Sequence, residues 1–526
     1  MSENELIKEI INQLDLKDNE QIKTLNSYLV SKHSFSELTD SLKEKIKDTI
    51  FRFIGIEVDI KNIKTLNLLK KVIFERCSFY LPIWDYINFE IVFYNCNFIN
   101  PICIRNIYML ENNQDFLFNE CTFPSRVEIE NTIISASLFK NCDLNLLYAV
   151  SCEFKKKIFD NNLNQIHNNE NLNKNKDYTF YDCTIDDEFK IEKSRNSFAI
   201  NFISCDFLSS FLLDDLDIRV LRIDNNRFFN SCYITLCNIN TSTIFKSIFK
   251  GVFSCSFNKF INNINLIDIE FENNVSFLST EFNFYLKPLS CNFNKVVSFK
   301  DSILKGIDLE KSNLLGKSNF NNIRNLSEEN ISEKEVLNRE TARIIKDSFE
   351  QQNNIIEANK YYAIEMKKRE EELTKDLKEG KNFFEWLVFK VHGISSNHSQ
   401  DWLLALFWIM SFTFSIGTIT NHFEEYHISF INLIPAFFIF IMSLIIASLE
   451  IEFKNILLII FGFISYGLYS IISCDFNLYN VTNHINPFSV MNSWDNITFS
   501  EFIFKVIIAY LIYQLIISIR QNTRRK

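Results

Sequence analysis

Glycine is nearly missing from this chain, with 9 in 526 residues against the usual share of about 7%. None of the nine falls in G-x-G-x-x-G or G-x-x-x-x-G-K-[ST], so a backbone cradle for phosphate or dinucleotide is not expected. G-x-S-x-G and H-E-x-x-H are absent too. No C-x-x-C pair occurs among the 13 cysteines, and only 7 histidines are present, which removes zinc-ligand spacing. Basic residues are not in excess either. The formal net charge is −10, which argues against nucleic acid as a partner. With no nucleophile–base or metal constellation in view, neither an enzyme nor a cofactor is expected. The opening MSENELIKEIINQL is charged throughout and has no apolar core, so a secretory leader is not expected in it.

What is present falls into three stretches. Residues 1–65 are expected to form a helical cap, with Leu6, Ile10, Ile11 and Leu14, then Ile22, Leu25, Leu29 and Val30, at helical spacing. A third helix is expected to run from a cap at Ser34 or Ser36 towards Phe51. The alternative for this stretch is a helix pair that docks a partner.

From 72 to 320 the chain alternates short apolar and polar runs. FERCSF (74–79), FYNCNF (93–98) and FNECTF (118–123) share one layout, an aromatic, then Cys, then a second aromatic. Large apolar residues recur five apart: Phe74 and Phe79, Phe93 and Phe98, Phe118 and Phe123, Phe139 and Leu144, Phe202 and Phe207, Ile223 and Phe228. Phe299, Leu304, Leu309 and Leu314 continue the step without a break. A period of five fits neither a helix nor a flat strand, and repetition of this kind indicates a solenoid. The small residue two before the second apolar one recurs at Cys77, Cys96, Cys121, Cys142, Asn162, Cys183, Cys205, Asn226 and Ser247. Gaps between these sites run from 19 to 25, which suits coils of four five-residue faces.

These residues, and SFKDSILKGIDLEKSNLLGKSNF (298–320) above all, resemble the pentapeptide-repeat proteins. The resemblance implies a right-handed quadrilateral β-helix with a large apolar residue at the centre of each face and an inward small residue two places earlier. It covers about half the chain. The repeats are degenerate, and PICIRNIYMLENNQD (101–115) and NQIHNNENLNKNKD (164–177) are expected as irregular inserts. The cysteines are expected as buried wall residues, since a free Cys behaves as a small hydrophobe.

Residues 331–378 read as a helical hairpin linker, 338–352 and 356–377 with a break at Asn353–Asn354. Residues 382–393 suit an interfacial amphipathic helix. Within 402–519, the runs 402–420, 429–449, 455–473 and 502–519 are apolar and of spanning length, giving a transmembrane domain with four spans. Lys454 lies between the second and third runs; Arg520, Arg524, Arg525 and Lys526 make a basic tail over 520–526. The loops 421–428 and 474–501 hold no Lys or Arg. The positive-inside rule therefore puts both termini and the repeats on the cytoplasmic side of what would be a bacterial inner membrane.

Inside the spans, Pro435 is expected to kink its helix, and Gly462 and Gly467 to permit close helix packing. Lys505 has Glu501 one turn earlier, and Gln514 is expected to hydrogen-bond a neighbouring helix. His422, Glu424, Glu425 and His427 offer metal-ligand side chains, in a spacing that matches no established motif.

The expected function is a non-enzymatic, membrane-anchored scaffold with the lipid bilayer and a cytoplasmic protein as partners, and a homo-oligomer is possible. The alternative is a gated pore controlled by the repeats, with Ser411, Thr413, Ser415 and Thr418 as a polar stripe. A DNA-mimicking role, known among pentapeptide-repeat proteins, is disfavoured by the apolar spans.

Overall fold

A computed structural model describes residues 50–54, 57–58, 71–80, 83–85, 90–106, 116–160, 175–327, 331–425, 433–449, 453–487 and 499–523. The chain divides into two compact units, 1–337 and 338–526.

The first unit is a β-solenoid of about 10 turns. Every strand pairing in it is parallel, and each turn stacks on the one before: Asp206 pairs with Arg227, and Arg227 with Ile248. One sheet stacks 50–54, 71–75, 90–94, 116–119, 137–140 and 159–160. The pairing thus reaches back to Ile50, into the stretch expected to be a helical cap. Strand pairing along the stack overrides local helical pattern there. Residues 1–49 lie outside the described residues. The expected inserts also shrink: 102–105 and 175–181 are strands within the stack, because their alternating apolar residues pair in register with the turns on either side.

The five-residue step has a direct physical origin. Phe74, Phe93, Phe118, Phe139 and Phe159 form one stacked column with centroid spacings of 5.3, 5.1, 5.4 and 6.0 Å. Phe207, Phe228, Phe249, Phe271 and Phe293 form another, at 4.6, 4.6, 5.1 and 5.0 Å. These spacings are close to the ~4.8 Å between parallel strands, so each column takes one ring per turn. Rings five apart meet edge to face, as Phe93 and Phe98 do at 5.4 Å. Each pair adds about 0.5–1.5 kcal/mol beyond its burial.

Between faces the chain must turn, and a left-handed residue does it. Asn95, Glu120, Asn141, Asp182, Ser204 and Asn225 all have φ between 50° and 56°. Each directly precedes an inward small residue: Cys96, Cys121, Cys142, Cys183, Cys205 and Asn226. Asn and Asp are among the non-glycine residues that tolerate this region best. Glycine is instead required where the preceding turn presses on the backbone. A Cβ on Gly251 would lie 2.2 Å from the carbonyl carbon of Asn230.

The inward cysteine now has a role beyond filling space. Cys96 Sγ donates to Phe74 O of the preceding turn (3.5 Å) and to Tyr94 O (3.3 Å). Cys121, Cys142, Cys183, Cys205 and Cys291 repeat this pair of contacts. Stronger donors replace the thiol in places. Asn226 Nδ2 donates to Phe202 O at 2.9 Å, while its Oδ1 accepts from Cys205 N at 2.7 Å.

Cys77, Phe79, Phe93, Phe98, Phe118, Phe123, Leu144, Phe207, Phe228, Phe299, Leu304 and Leu309 are all buried, as are the corner cysteines. Leu314 is not: it is only half-buried. Its strand, 312–314, is the last of its sheet among the described residues.

The second unit is helical: α1 (Arg339–Gln351), α2 (Ile355–Lys378), α3 (Phe383–Ser396), α4 (Trp402–Glu425), α5 (Leu433–Ser448), α6 (Lys454–Ser473), α7 (Tyr479–Ile485) and α8 (Phe499–Thr523). Asn338 Oδ1 caps α1 by accepting from Thr341 N, and Asn354 caps α2 in the same way. Asn353, with φ 57°, makes the break between them. The hairpin is joined by stacked Phe349 and Tyr361 and by Lys346 with Glu365 at 2.9 Å. It is not a free linker, since Asn359 Nδ2 donates to Gln521 O of α8.

Among the described residues, three helical segments are long and apolar enough to cross a membrane: Trp402–Ile419, Lys454–Ser473 and Phe502–Gln521. The fourth expected span is described as a helix only over the 16 residues of α5, about 24 Å at 1.5 Å per residue. Pro435 lies within α5. Gly462 and Gly467 face open space, and the close approach expected of them occurs at Gly417. A Cβ there would meet the Tyr469 ring at 2.7 Å.

Candidate functional site

His422, Glu424 and Glu425 lie in the last turn of α4, with side chains outside the described residues, and His427 lies outside them altogether. Lys454 opens α6 and donates to Ala447 O at 2.7 Å, closing the end of α5. Arg520 sits in the last turn of α8, and Arg524, Arg525 and Lys526 are outside the described residues. Lys505 reaches Asn486 O at 3.1 Å. Ser411, Thr413, Ser415 and Thr418 are all buried within the chain's own helical unit.

On the solenoid, Cys103, Glu128 and Glu130 bring their ligand atoms within 4.8 Å of one another. Register explains the meeting, because Cys103 pairs with Glu128 on the adjacent strand. Both carboxylates already have cations: Arg105 holds Glu130 at 2.8 Å and Arg126 holds Glu128 at 2.9 Å. Burial pushes the Cys103 thiol up to about 11, so it stays protonated at neutral pH. The group is an ion-pair ladder with an enclosed thiol.

A connected polar constellation lies in the helical unit, where α2, α3, the α3–α4 turn and α8 meet. Asn397, His398 and Ser399 adopt φ of 47°, 55° and 65° in succession. Three consecutive left-handed residues without glycine are costly. They turn His398 and Ser399 inwards, where each is 2% exposed. His398 Nε2 lies 3.3 Å from Glu370 Oε2 on α2, and Lys390 Nζ lies 2.6 Å from Glu370 Oε1. The other ring nitrogen, His398 Nδ1, is 3.2 Å from His392 Nδ1 on α3. His392 Nε2 is 3.3 Å from Ser399 Oγ, which is in turn 3.1 Å from Gln514 Oε1 on α8. Ser396 Oγ donates to the same oxygen at 2.9 Å. Gly393 leaves room for the ion pair, since a Cβ there would stand 3.2 Å from His398 Nε2.

The electrostatics follow from the contacts. The His398 hydrogen bond and the Lys390 ammonium hold the Glu370 carboxyl down at about 2, against a cost of burial. Burial and the neighbouring His398 lower His392 from its ordinary value. Ser399 and His392 have the separation of a nucleophile and its base. Ser399 is enclosed, however, and its hydroxyl is shared with Gln514, so the arrangement bridges helices instead of presenting a nucleophile.

Of this constellation, Gln514 was legible as an interhelical hydrogen-bonder, and it takes that role. The remainder was not legible. The detectable signal was HGISSNH (392–398), two histidines six residues apart bracketing two serines. No protein family, no curated protein and no solved structure matches the chain.

Proposed function

We propose that this protein is a non-enzymatic scaffold anchored in a bilayer, whose solenoid is a right-handed quadrilateral β-helix of pentapeptide-repeat type that binds a partner protein on its outer faces. The observation that carries this reading is the filled interior. Stacked Phe columns and corner thiols occupy the inside of the stack, leaving the exterior as the surface available for recognition. Outward positions there carry exposed aromatics, Tyr94, Tyr181, Tyr233 and Tyr285 among them, on a parallel ladder of the kind that offers extended binding faces.

The anchor is the helical unit, with four spans and both termini in the cytoplasm. α3 supports it with an exposed apolar surface of Phe383, Phe384, Leu387, Val388 and Val391, suited to lying on the inner leaflet. The test is fractionation and protease protection, followed by photo-crosslinking from Tyr233 and Tyr285. Carbonate-resistant membrane association and a discrete crosslinked protein are expected. A soluble protein, or crosslinks only to abundant bystanders, would refute the reading.

A second reading, a gated pore, has one observation in its favour. The hydroxyls of Ser411 and Ser415 on α4 and of Ser465, Ser470 and Ser473 on α6 are buried without a hydrogen-bond partner, and these helices pack together. Ion flux through liposomes holding the full-length protein, abolished by Ser415→Leu with Ser470→Leu, would establish the pore and displace the anchor reading.

A further inference from the structure

The chain of contacts from Ser399 to Glu370 permits one arrangement of protons when both histidines are neutral. Glu370 is ionised and only accepts, so His398 carries its proton on Nε2 and leaves Nδ1 bare. Two bare nitrogens 3.2 Å apart would repel, so His392 carries its proton on Nδ1 and donates it to His398. His392 Nε2 is then bare and accepts a hydrogen bond from the Ser399 hydroxyl. The whole chain points towards Glu370.

Adding one proton reverses its near end. If the charge rests on His392, both of its nitrogens carry hydrogen. If it rests on His398, His398 Nδ1 donates to His392 Nδ1, and neutral His392 must carry its hydrogen on Nε2. Either way His392 Nε2 becomes a donor to Ser399 Oγ. The Ser399 hydroxyl turns to its other neighbour, Gln514 Oε1, 3.1 Å away. That oxygen has a second lone pair to offer beside the one engaged by Ser396. A second proton would set two N–H groups face to face at 3.2 Å.

We infer that His392 and His398 form a binding site for a single proton, and that its occupation moves the Ser399 hydrogen bond from α3 to Gln514 on α8, tying the α3–α4 turn to a membrane helix. The proton comes from water, which His392 meets because it is only partly buried. One imidazole N–H bond forms at His392 Nε2 as an O–H bond of solvent hydronium breaks, and where the charge settles on His398 the His392 Nδ1 proton passes to His398 Nδ1. The charged and titratable groups around the pair are few. Glu370 comes from α2 and Lys390 from α3. Asp401, at the start of α4, is engaged with Leu404 N. Tyr510 of α8 is engaged with Ser395. Arg369 and Glu385 pair with each other at the α2–α3 contact. Glu370 and Lys390 are paired in both states, so the imidazoles are the groups that change.

The experiment uses the full-length protein in lipid nanodiscs with ¹⁵N-labelled histidine, followed by NMR from about pH 8 to about pH 4.5. His392→Gln and His398→Gln assign the signals. The expected result at the neutral end is an Nδ1–H tautomer for His392 and Nε2–H for His398, with one proton taken up by the pair on acidification. Amide exchange in the 397–401 turn, corrected for its intrinsic pH dependence and taken relative to the rest of the helical unit, should slow about five- to tenfold on that uptake, as one added hydrogen bond implies. Ser399→Ala, a small change, should abolish the slowing and leave the tautomers unchanged. An Nε2–H tautomer for His392 at neutral pH, uptake of two independent protons, or undiminished slowing in Ser399→Ala would each overturn the inference. Tight binding of zinc by the two Nδ1 atoms, read in the same spectra, would overturn it as well.

Discussion

The two units handle buried polarity in opposite ways. The solenoid spreads it: each corner buries one modest donor that serves backbone carbonyls, and the next turn repeats the device. The helical unit concentrates it: Glu370, His392, His398, Ser399 and Gln514 form one unrepeated network drawn from four segments. A spread device tolerates the loss of one member, whereas a network transmits it. The solenoid should therefore be sensitive to volume and the helical unit to protonation.

The largest effect is expected from volume. Phe228→Ala removes a ring stacked between Phe207 and Phe249, and should cost about 3–5 kcal/mol in chemical denaturation followed by solenoid-specific probes. The same measurement on Leu314→Ala should show a clearly smaller loss, because Leu314 is already half-exposed.

Next comes pH, where the two units should diverge in sign. Burial raises the thiols of Cys232, Cys237 (to about 12) and Cys291 (to about 11) above their ordinary 9.0. Above pH 9.0 the unfolded chain ionises these thiols while the folded solenoid keeps them protonated. Solenoid stability should therefore fall with rising pH, by about 1.4 kcal/mol per thiol per pH unit. His392 is lowered instead, from 6.5. Below pH 6.5 the unfolded chain takes the proton before the folded one, so the helical unit should lose stability as pH falls. Glu370 adds to that loss only below its ordinary 4.5, as pH approaches its folded value of about 2. Thermal melts resolved by unit across pH 5–10 would check both slopes, and a shared slope would defeat the contrast.

Asn226→Ala should cost about 2–3 kcal/mol, because it strands Phe202 O and Cys205 N inside the corner. Cys291→Ser should change stability by less than about 1 kcal/mol, since serine already performs the same bond at Ser302, which donates to Phe277 O at 2.6 Å. It should also remove one thiol's share of the alkaline slope. A large loss on Cys291→Ser would mean that the thiols act as more than interchangeable corner donors.

How much of this was readable along the chain depends on the distance over which each feature is written. FYNCNF contains a left-handed turn residue, the inward small residue and the ring that follows, all within six positions. The five-residue step and the spacing of turns therefore emerged from local pattern, as did most helix positions and the break at Asn353. Reading failed at the edges. Ile50–Ile54, inside a stretch expected to be helical, joins the stack by pairing with a strand about twenty residues on. Leu314 has the repeat pattern and is only half-buried, in the last strand of its sheet among the described residues.

The apolar residues, through their period and run lengths, set a β-solenoid followed by long apolar helices, because a column of rings or a lipid-length helix makes the same demand at every repeat or turn. The polar network had no such voice. Residues 370, 392, 398, 399 and 514 share no period, and each is ordinary in its own segment. Packing of α2, α3 and α8 around a strained turn brings them within 3.3 Å of one another in sequence along the chain of contacts. Low-dielectric burial then makes each proton's position depend on the next.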